Sequence, residues 1–210
     1  MTTEPQAIDP WLAMWTKPRA TIREIVRTDA SYGVLPLAAL GGVAQVLDRA
    51  SARNLGDEYA TGAILLVAAL AGPVAGIAGI YIGAWLLRLT DGWLGGEAPS
   101  AHLRTALAWG NLPTAAGLLL WVPALALVGG EMFTAATPQL DGQPLLALFL
   151  LPIGLAWIAL AIWSLVLVVL GVAEVQGFSG WRALGNLLLA ALLFAAPFVL
   201  LGILVGALGA

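Results

Sequence analysis

The chain contains no cysteine, one histidine and few charged residues. Without cysteine it can form no disulfide and no thiolate-ligated metal or iron–sulfur centre. Charged residues make up 10% of the 210 residues, whereas a soluble domain carries about 25%. So few charges would leave large apolar patches in water, which soluble monomers rarely tolerate. Together with a hydrophobic content of 60%, this scarcity indicates a membrane protein.

Motifs for catalysis are equally scarce. The single histidine, His102, lies in a predicted loop beside Arg104, where we expect it to be solvated. No H-E-x-x-H zinc motif and no G-x-S-x-G nucleophile elbow occurs. Ser164 and Ser179 have no histidine partner in the same segment. We therefore predict a non-enzymatic protein with no catalytic residues, no metal, no cofactor and no nucleic-acid partner.

Five long apolar blocks predict an all-α polytopic membrane protein, in which residues 30–210 form a single five-span domain. The predicted spans cover residues 32–47, 60–89, 106–129, 144–173 and 183–208. The first block ends at Asp48 and Arg49 and is short for a bilayer, which needs about 20 apolar residues. The second and fourth are longer than a straight crossing requires, so we expect them to tilt or to kink at Pro73 and Pro152.

The basic residues lie almost entirely in alternate gaps between these blocks. Segments on the side of the N-terminus hold seven of them: Lys17, Arg19, Arg23, Arg27, Arg88, Arg104 and Arg182. Segments on the other side hold two, Arg49 and Arg53. Since basic residues favour the cytoplasmic side, we expect a cytoplasmic N-terminus and a C-terminus on the opposite face. The polar first ten residues lack the features of a cleaved signal peptide, so insertion is expected to use the first apolar block.

The N-terminal region is predicted to have two parts, a mobile tail over residues 1–9 and an amphipathic interfacial helix over residues 10–28. Ile22, Ile25 and Val26 recur on one helical face. We expect the other face and two tryptophans to meet the membrane surface and anionic lipid headgroups; these residues are Trp11, Trp15, Lys17, Arg19, Arg23 and Arg27. Thr16 could cap the helix. The alternative is a short solvated helix that leads into the first span.

Small and helix-breaking residues fill the spans. The pairs Gly72/Gly76 and Gly79/Gly83 have the spacing that lets helices approach closely in lipid, so we predict helix packing there. Every predicted span also contains proline, and each proline leaves a backbone carbonyl to be satisfied inside the bundle. Either these prolines only kink helices for packing, or they break helices around a transport site.

Polar residues at membrane depth are the remaining functional candidates, because burying them in lipid is costly. The candidates are Asn111, Glu174, Gln176, Arg182 and Asn186. Asn111 lies next to Pro113, and we expect its amide to bond a carbonyl that the proline leaves open. We expect Glu174 to lie near Arg182, or near Arg88 or Arg104 on the neighbouring loop, as either a structural ion pair or a proton or cation site.

Three stretches resemble bacterial members of the Yip1 domain family. They are residues 10–26, the Gly95-Gly96 pair with residues 104–109 and Pro113, and residues 171–179 with residues 181–183. The glycine-pair motif departs from the family, in which a further glycine and a serine are expected soon afterwards; here residues 97–100 read Glu-Ala-Pro-Ser. The resemblance implies five spans, a cytoplasmic N-terminus and no catalytic residues. Eukaryotic relatives are associated with Rab GTPases, a role that a bacterial protein would not share.

Two functions remain open at this level. The first is a multi-pass protein of the bacterial inner membrane, with its C-terminus in the periplasm. Such a protein would act as a scaffold or accessory subunit through lipid, a membrane-protein partner or a second copy of itself. The alternative is a transporter, channel or lipid-moving protein that uses the proline-broken bundle.

Overall fold

The computed structural model describes residues 9–208, and this part of the chain folds into α-helices, two 3₁₀ turns and short connections. The helices are α1 (Pro10–Ala13), α2 (Pro18–Asp29), α3 (Val34–Ala52), α4 (Thr61–Leu94), α5 (Ser100–Gly110), α6 (Leu112–Ala116), α7 (Leu118–Val128), α8 (Pro138–Gly142), α9 (Pro144–Gln176) and α10 (Gly180–Leu208). The 3₁₀ turns are Leu55–Asp57 and Gly129–Phe133. The all-α prediction is confirmed. Of the predicted tail, residues 1–8 lie outside the described residues.

Four stretches of the described chain are long and apolar enough to cross a membrane: Thr61–Leu94, Leu112–Phe133, Pro144–Gln176 and Gly180–Val205. Helices α4 and α9 are each about 50 Å long at 1.5 Å per residue, against a hydrocarbon core of about 30 Å. Helix α3 does not belong to this set. It has 19 residues, and the polar side chains near its end shorten its apolar stretch. The count of five spans therefore remains a prediction.

The predicted third span is divided among three helices. Asn111 separates α5 from α6, and Gly117 separates α6 from α7. Pro113 has no N–H to continue the helical hydrogen-bond ladder, which is why a break falls here. Nearly all of α5 after Arg104 is buried. The apolar stretch therefore covers Leu112–Phe133 rather than the predicted 106–129, because α5 is part of the protein interior.

Helices α3 and α4 cross with their backbones in contact. A Cβ atom added to Gly72 would lie 2.7 Å from the Cα of Val43. A Cβ added to Gly76 would lie 2.7 Å from the Cα of Gly42 and closer still to the carbonyl oxygen of Ala38. Only glycine allows this approach. In lipid, where dispersion between helices replaces the hydrophobic effect, so close a crossing is a main source of association energy.

The second glycine pair lies elsewhere. A Cβ on Gly79 would meet no atom within 4 Å, and one on Gly83 would touch only Leu107, at 3.3 Å. Gly79 and Gly83 instead line a shallow groove between α4 and α10. The structure thus places Gly72 and Gly76, but not Gly79 and Gly83, at the crossing of α3 and α4. A further close approach, which the sequence did not indicate, occurs where Gly110 of α5 meets the backbone of Val168 in α9.

The N-terminal segment forms two helices that pack on one end of the bundle. Met14 and Ile22 are completely buried, and Ile25 is 4% exposed. These side chains join a core cluster with α3, α5 and α9. Thr16 does not cap α2, which begins after Lys17 with no side-chain cap. The apolar face of α2 therefore contacts protein, and only its other face is left to meet a membrane surface.

Candidate functional site

Polar side chains meet at the end of the bundle where α4 and α9 finish and α10 begins. We call this group the polar end cluster; it consists of Thr90, Asp91, Glu174, Gln176 and Asn186. All but Glu174 are at most 9% exposed. Three of the five were predicted from the sequence. Thr90 and Asp91 were missed, although an adjacent Thr-Asp pair at the end of a long apolar block was a readable signal.

Gln176 connects two helices through both ends of its amide. Its Nε2 donates to Asp91 Oδ2 at 2.9 Å, and its Oε1 accepts the N–H of Ala98 at 3.1 Å. Arg88 donates to the carbonyl of Ala98 at 2.8 Å and lies 3.7 Å from Asp91 Oδ2. Asp91 is 2% exposed, so its carboxylate depends on these neighbours. The arrangement holds the loop between α4 and α5 against the end of α9.

The Gly95-Gly96 pair allows this loop to pass close to the cluster. Gly95 ends α4 in the left-handed conformation, with φ of 75°, which favours glycine. A Cβ on Gly96 would lie 2.5 Å from Oε1 of Gln176 and 2.8 Å from the ring of Phe178. Gly95 therefore allows the turn, and Gly96 leaves room for the side chains of Gln176 and Phe178. The need for two glycines is thus accounted for without a bound ligand.

Asn186 brings α10 into the cluster. It is completely buried, and its Oδ1 accepts a hydrogen bond from the hydroxyl of Thr90. Its Nδ2 has no hydrogen-bond partner among the described residues. A buried amide hydrogen without an acceptor costs stability. Only the oxygen of the Asn186 amide thus has a hydrogen-bond partner in this packing arrangement of the described residues.

Glu174 pairs with Arg23 of α2. The Nε of Arg23 donates to Glu174 Oε1 at 2.7 Å. This hydrogen bond, followed by the attraction of the two charges, holds the pKa of Arg23 above its ordinary value. Arg182, Arg88 and Arg104 were the expected partners. That prediction is wrong, because α2 packs along α9 and brings its own arginine to Glu174.

Arg182 is exposed and is directed toward an aromatic ring. Its guanidinium carbon lies 5.4 Å from the centre of the Phe178 ring, a cation–π distance. Trp181, its neighbour, is 85% exposed, and Trp93 at the end of α4 is 70% exposed. The polar end cluster is therefore bordered by aromatic side chains of the kind that favour the headgroup level of a membrane.

The turn between α2 and α3 is fastened to α5. The hydroxyl of Thr105 donates to the carbonyl of Ala30, and Trp109 Nε1 donates to the carbonyl of Tyr32 at 2.8 Å. The Trp109 ring is completely buried and lies 4.8 Å from that of Trp11. These contacts, together with the Arg23–Glu174 pair, fix α2 on the bundle.

The predicted membrane-surface residues have different environments. Trp15 is partly buried and packs on the core cluster beneath α2, while Trp11 is 39% exposed. Arg27 is bonded to Glu24 on its own helix, at 2.8 Å. Lys17 and Arg19 are exposed and have no carboxylate within ion-pair distance among residues 9–208. Of the basic groups in residues 10–29, these two are the most available for other contacts.

Asn111 lies apart from the polar end cluster, at the break between α5 and α6. Its Nδ2 donates to the carbonyl of Leu107 at 2.9 Å, which also accepts the backbone N–H of Asn111 and is therefore not a carbonyl that Pro113 leaves open. The hydroxyl of Ser164 on α9 donates to the carbonyl of Gly110 at 2.9 Å and accepts from Thr114 at 3.1 Å. The Ser164 hydroxyl was not singled out as a partner for this break. Side chains at the break and on α9 thus donate hydrogen bonds to the backbone carbonyls at this break.

A cleft of about 380 Å³ opens next to this break, between α3, α7 and α9. Its walls are mostly apolar and include Trp121 and Trp157, with Asp48 and Ser51 of α3 toward one side. No group of three or more His, Asp or Glu residues that could hold a metal ion occurs within the described part of the chain. The polar groups here and in the polar end cluster mainly join helices to one another.

The comparisons with known proteins agree with this architecture. The model of the Yip1 domain family matches residues 12–205, which includes α2 to α9 and most of α10. No curated protein and no solved structure matches the chain. The matched range covers almost the whole chain and contains all four apolar stretches that are long enough to cross a membrane. The chain is therefore a member of the Yip1 domain family, with the several apolar helices of a membrane protein.

Proposed function

We propose that this is a non-enzymatic multi-pass protein of a bacterial inner membrane that acts through lipid or protein contacts at its cytoplasmic face. It crosses the membrane five times, with α3 as the first span and its N-terminus in the cytoplasm. The observation that carries the proposal is the construction of one end of the bundle. There, the buried polar groups are used to join helices, while Lys17, Arg19 and Trp181 remain exposed around them.

The charges support this orientation and this surface. Seven of the nine basic residues belong to segments at the end of the bundle that holds α2, and two belong to the other end. A basic side chain near an anionic leaflet contributes about 1 kcal/mol of attraction. Because the apolar face of α2 is buried in protein, the basic face and the bordering tryptophans are the surface offered to lipid headgroups or to a partner protein.

Orientation is tested by labelling, which the absence of cysteine makes simple. Ala20 and Ala136 are exposed positions at opposite ends of the bundle. A membrane-impermeant maleimide applied to intact cells should label an Ala136→Cys variant and leave an Ala20→Cys variant unlabelled until the membrane is opened. The reverse result would overturn the orientation.

Lipid contact is tested by hydrogen exchange of α2 in nanodiscs of increasing phosphatidylglycerol content. Exchange should slow as the anionic lipid increases. The charge-reversed variant Lys17→Glu/Arg19→Glu should lose this dependence, whereas the polar variant Lys17→Gln/Arg19→Gln should lose it only in part. If α2 exchanges at the same rate in every lipid mixture and in both variants, lipid is not what this face binds. Co-purification from native membranes, compared between the same variants, then tests for a partner protein.

The broken third span favours a second candidate, a transporter or lipid-moving protein. Broken helices with satisfied polar groups at a cleft are found at transport sites, and Asn111 lies at such a break beside the 380 Å³ cleft. Proteoliposomes should then show ion flux or lipid movement that Asn111→Ala or Glu174→Gln abolishes. Sealed, inactive liposomes over a broad panel of ions and labelled lipids would exclude it.

A further inference from the structure

A second groove lies at the other end of the bundle, away from α2. It has a volume of about 310 Å³ and runs between the end of α3 and the beginning of α4. Arg49, Arg53 and Tyr59 line it together with apolar side chains, among them Val46 and Val67. It is thus an almost wholly apolar groove: two exposed arginines and one exposed tyrosine border it, and their polar groups form little of its wall.

The two arginines lie on the same side of α3. They are four residues apart, which places their side chains on one helical face, and the N–H of Arg53 still bonds the carbonyl of Arg49 at 3.1 Å. No carboxylate of the described residues lies within ion-pair distance of either one. Asp48 lines the cleft beside Trp121 instead. The carboxylate of Asp57 accepts the N–H of Ala135 and does not line the groove.

The chemistry of the groove selects its occupant. A guanidinium fork matches the oxygens of a phosphate, and tyrosine is enriched at the headgroup level of membranes. The adjoining apolar walls offer no hydrogen bonds to a free phosphate ion, but they would cover part of an acyl chain. We propose that this groove binds one anionic glycerophospholipid from the leaflet at this end, its phosphate on Arg49 and Arg53 and one chain along Val46 and Val67.

The proposal concerns the leaflet opposite to α2, so its outcome is independent of the function proposed above. It also differs from general attraction to a charged membrane, because the local sequence includes acidic residues as well as the two arginines. Binding here should therefore be one lipid per chain with defined contacts, and it should depend on both parts of the groove.

The test is native mass spectrometry of the full chain in detergent, titrated with phosphatidylglycerol or with phosphatidylcholine. We expect one tightly held phosphatidylglycerol per chain. Arg49→Gln/Arg53→Gln should weaken it at least tenfold, and Arg49→Lys/Arg53→Lys should weaken it less. Ala63→Phe, which fills the groove without a change of charge, should weaken the binding of both lipids. Ala69→Phe, on the exposed surface of the same helix but outside the groove, is the matched control.

Three results would overturn the proposal. The first is phosphatidylglycerol binding within twofold of wild type in the arginine-to-glutamine variant. The second is equal losses for Ala63→Phe and Ala69→Phe. The third is displacement of the lipid by millimolar inorganic phosphate, which would indicate an anion site rather than a lipid site. An unchanged melting temperature of each variant in detergent shows that a lost lipid does not reflect a lost fold.

Discussion

Substituting Gly76 by alanine tests whether the crossing of α3 and α4 holds the fold together. The added Cβ would lie 2.7 Å from the Cα of Gly42 and 2.8 Å from its nitrogen, whereas carbon atoms prefer about 3.5–4.0 Å. Both neighbours are backbone atoms, so no rotamer change relieves the clash. The helices must therefore move apart by about 1 Å.

The cost of this separation follows from the dispersion energy that is lost. A gap of about 1 Å removes roughly half of a contact worth about 0.1–0.2 kcal/mol. If the crossing involves about 40 such atom pairs, the number made by one buried leucine, the loss is roughly 3 kcal/mol. We expect Gly76→Ala to lower the unfolding free energy by about 2–3 kcal/mol, within the range measured for overpacked cores.

Gly79→Ala is the matched control on the same helix, because a Cβ there meets no atom within 4 Å. It should be neutral or should stabilise by roughly 0.5–1 kcal/mol, the helix-propensity advantage of alanine over glycine. The assay is reversible unfolding in mixed micelles of a mild detergent and sodium dodecyl sulfate, followed by tryptophan fluorescence. Equal midpoints for Gly76→Ala and Gly79→Ala would refute the reasoning, since the two variants differ only in what the new methyl group meets.

Three further predictions concern the polar groups at the end that holds α2. Gln176→Leu should lower the unfolding free energy by roughly 2–3 kcal/mol in the same assay, because it leaves the buried Asp91 carboxylate without its closest donor; a loss under 0.5 kcal/mol would contradict this. Asn186→Leu should be within about 1 kcal/mol of wild type or more stable, because it removes a buried N–H that has no acceptor, and a large loss would show an unseen partner. The hydrogen bond from Arg27 lowers the pKa of Glu24, so this carboxylate stabilises α2 fully above its ordinary pKa of 4.5 and loses that contribution as the pH falls through its lowered value. Hydrogen exchange of the α2 backbone amides, measured from pH 7 to pH 3 and corrected for the intrinsic pH dependence of amide exchange, should then lose protection only below about pH 4.5, and a loss between pH 7 and pH 5 would point to another group.

The membrane-type fold was the easiest part to predict. A low charge content and long apolar blocks indicate spanning helices whatever their neighbours are, because the bilayer itself acts as the solvent. The limits of the prediction appear at particular residues. The break at Asn111 lies inside a continuous apolar block, so hydropathy did not show it, although Pro113 two residues later was a local sign. Similarly, Gly72/Gly76 and Gly79/Gly83 have the same spacing, and only the position of α3 distinguishes them.

The candidate site was predictable in its parts but not in its pairings. Glu174 was a sound candidate, since a carboxylate at a helix end needs a partner. Its partner, Arg23, is 151 residues away along the chain, whereas the sequence favoured Arg182, Arg88 or Arg104. Asp91 was not predicted; it follows the predicted second span, and its burial results from the loop that Gly95 and Gly96 fold over it.

The sequence by itself determined that this chain is helical, that its long helices belong in a membrane and which end carries the basic residues. These properties follow from composition and from the order of residues along the chain, because each segment partitions into the bilayer or the water according to its own residues. Only the tertiary structure decided that the apolar face of α2 packs on protein, that Glu174 meets Arg23 and that Arg49 and Arg53 border an apolar groove. Those features depend on which helices lie side by side, and that choice is made by close packing at a few glycines and by hydrogen bonds between residues far apart in the chain.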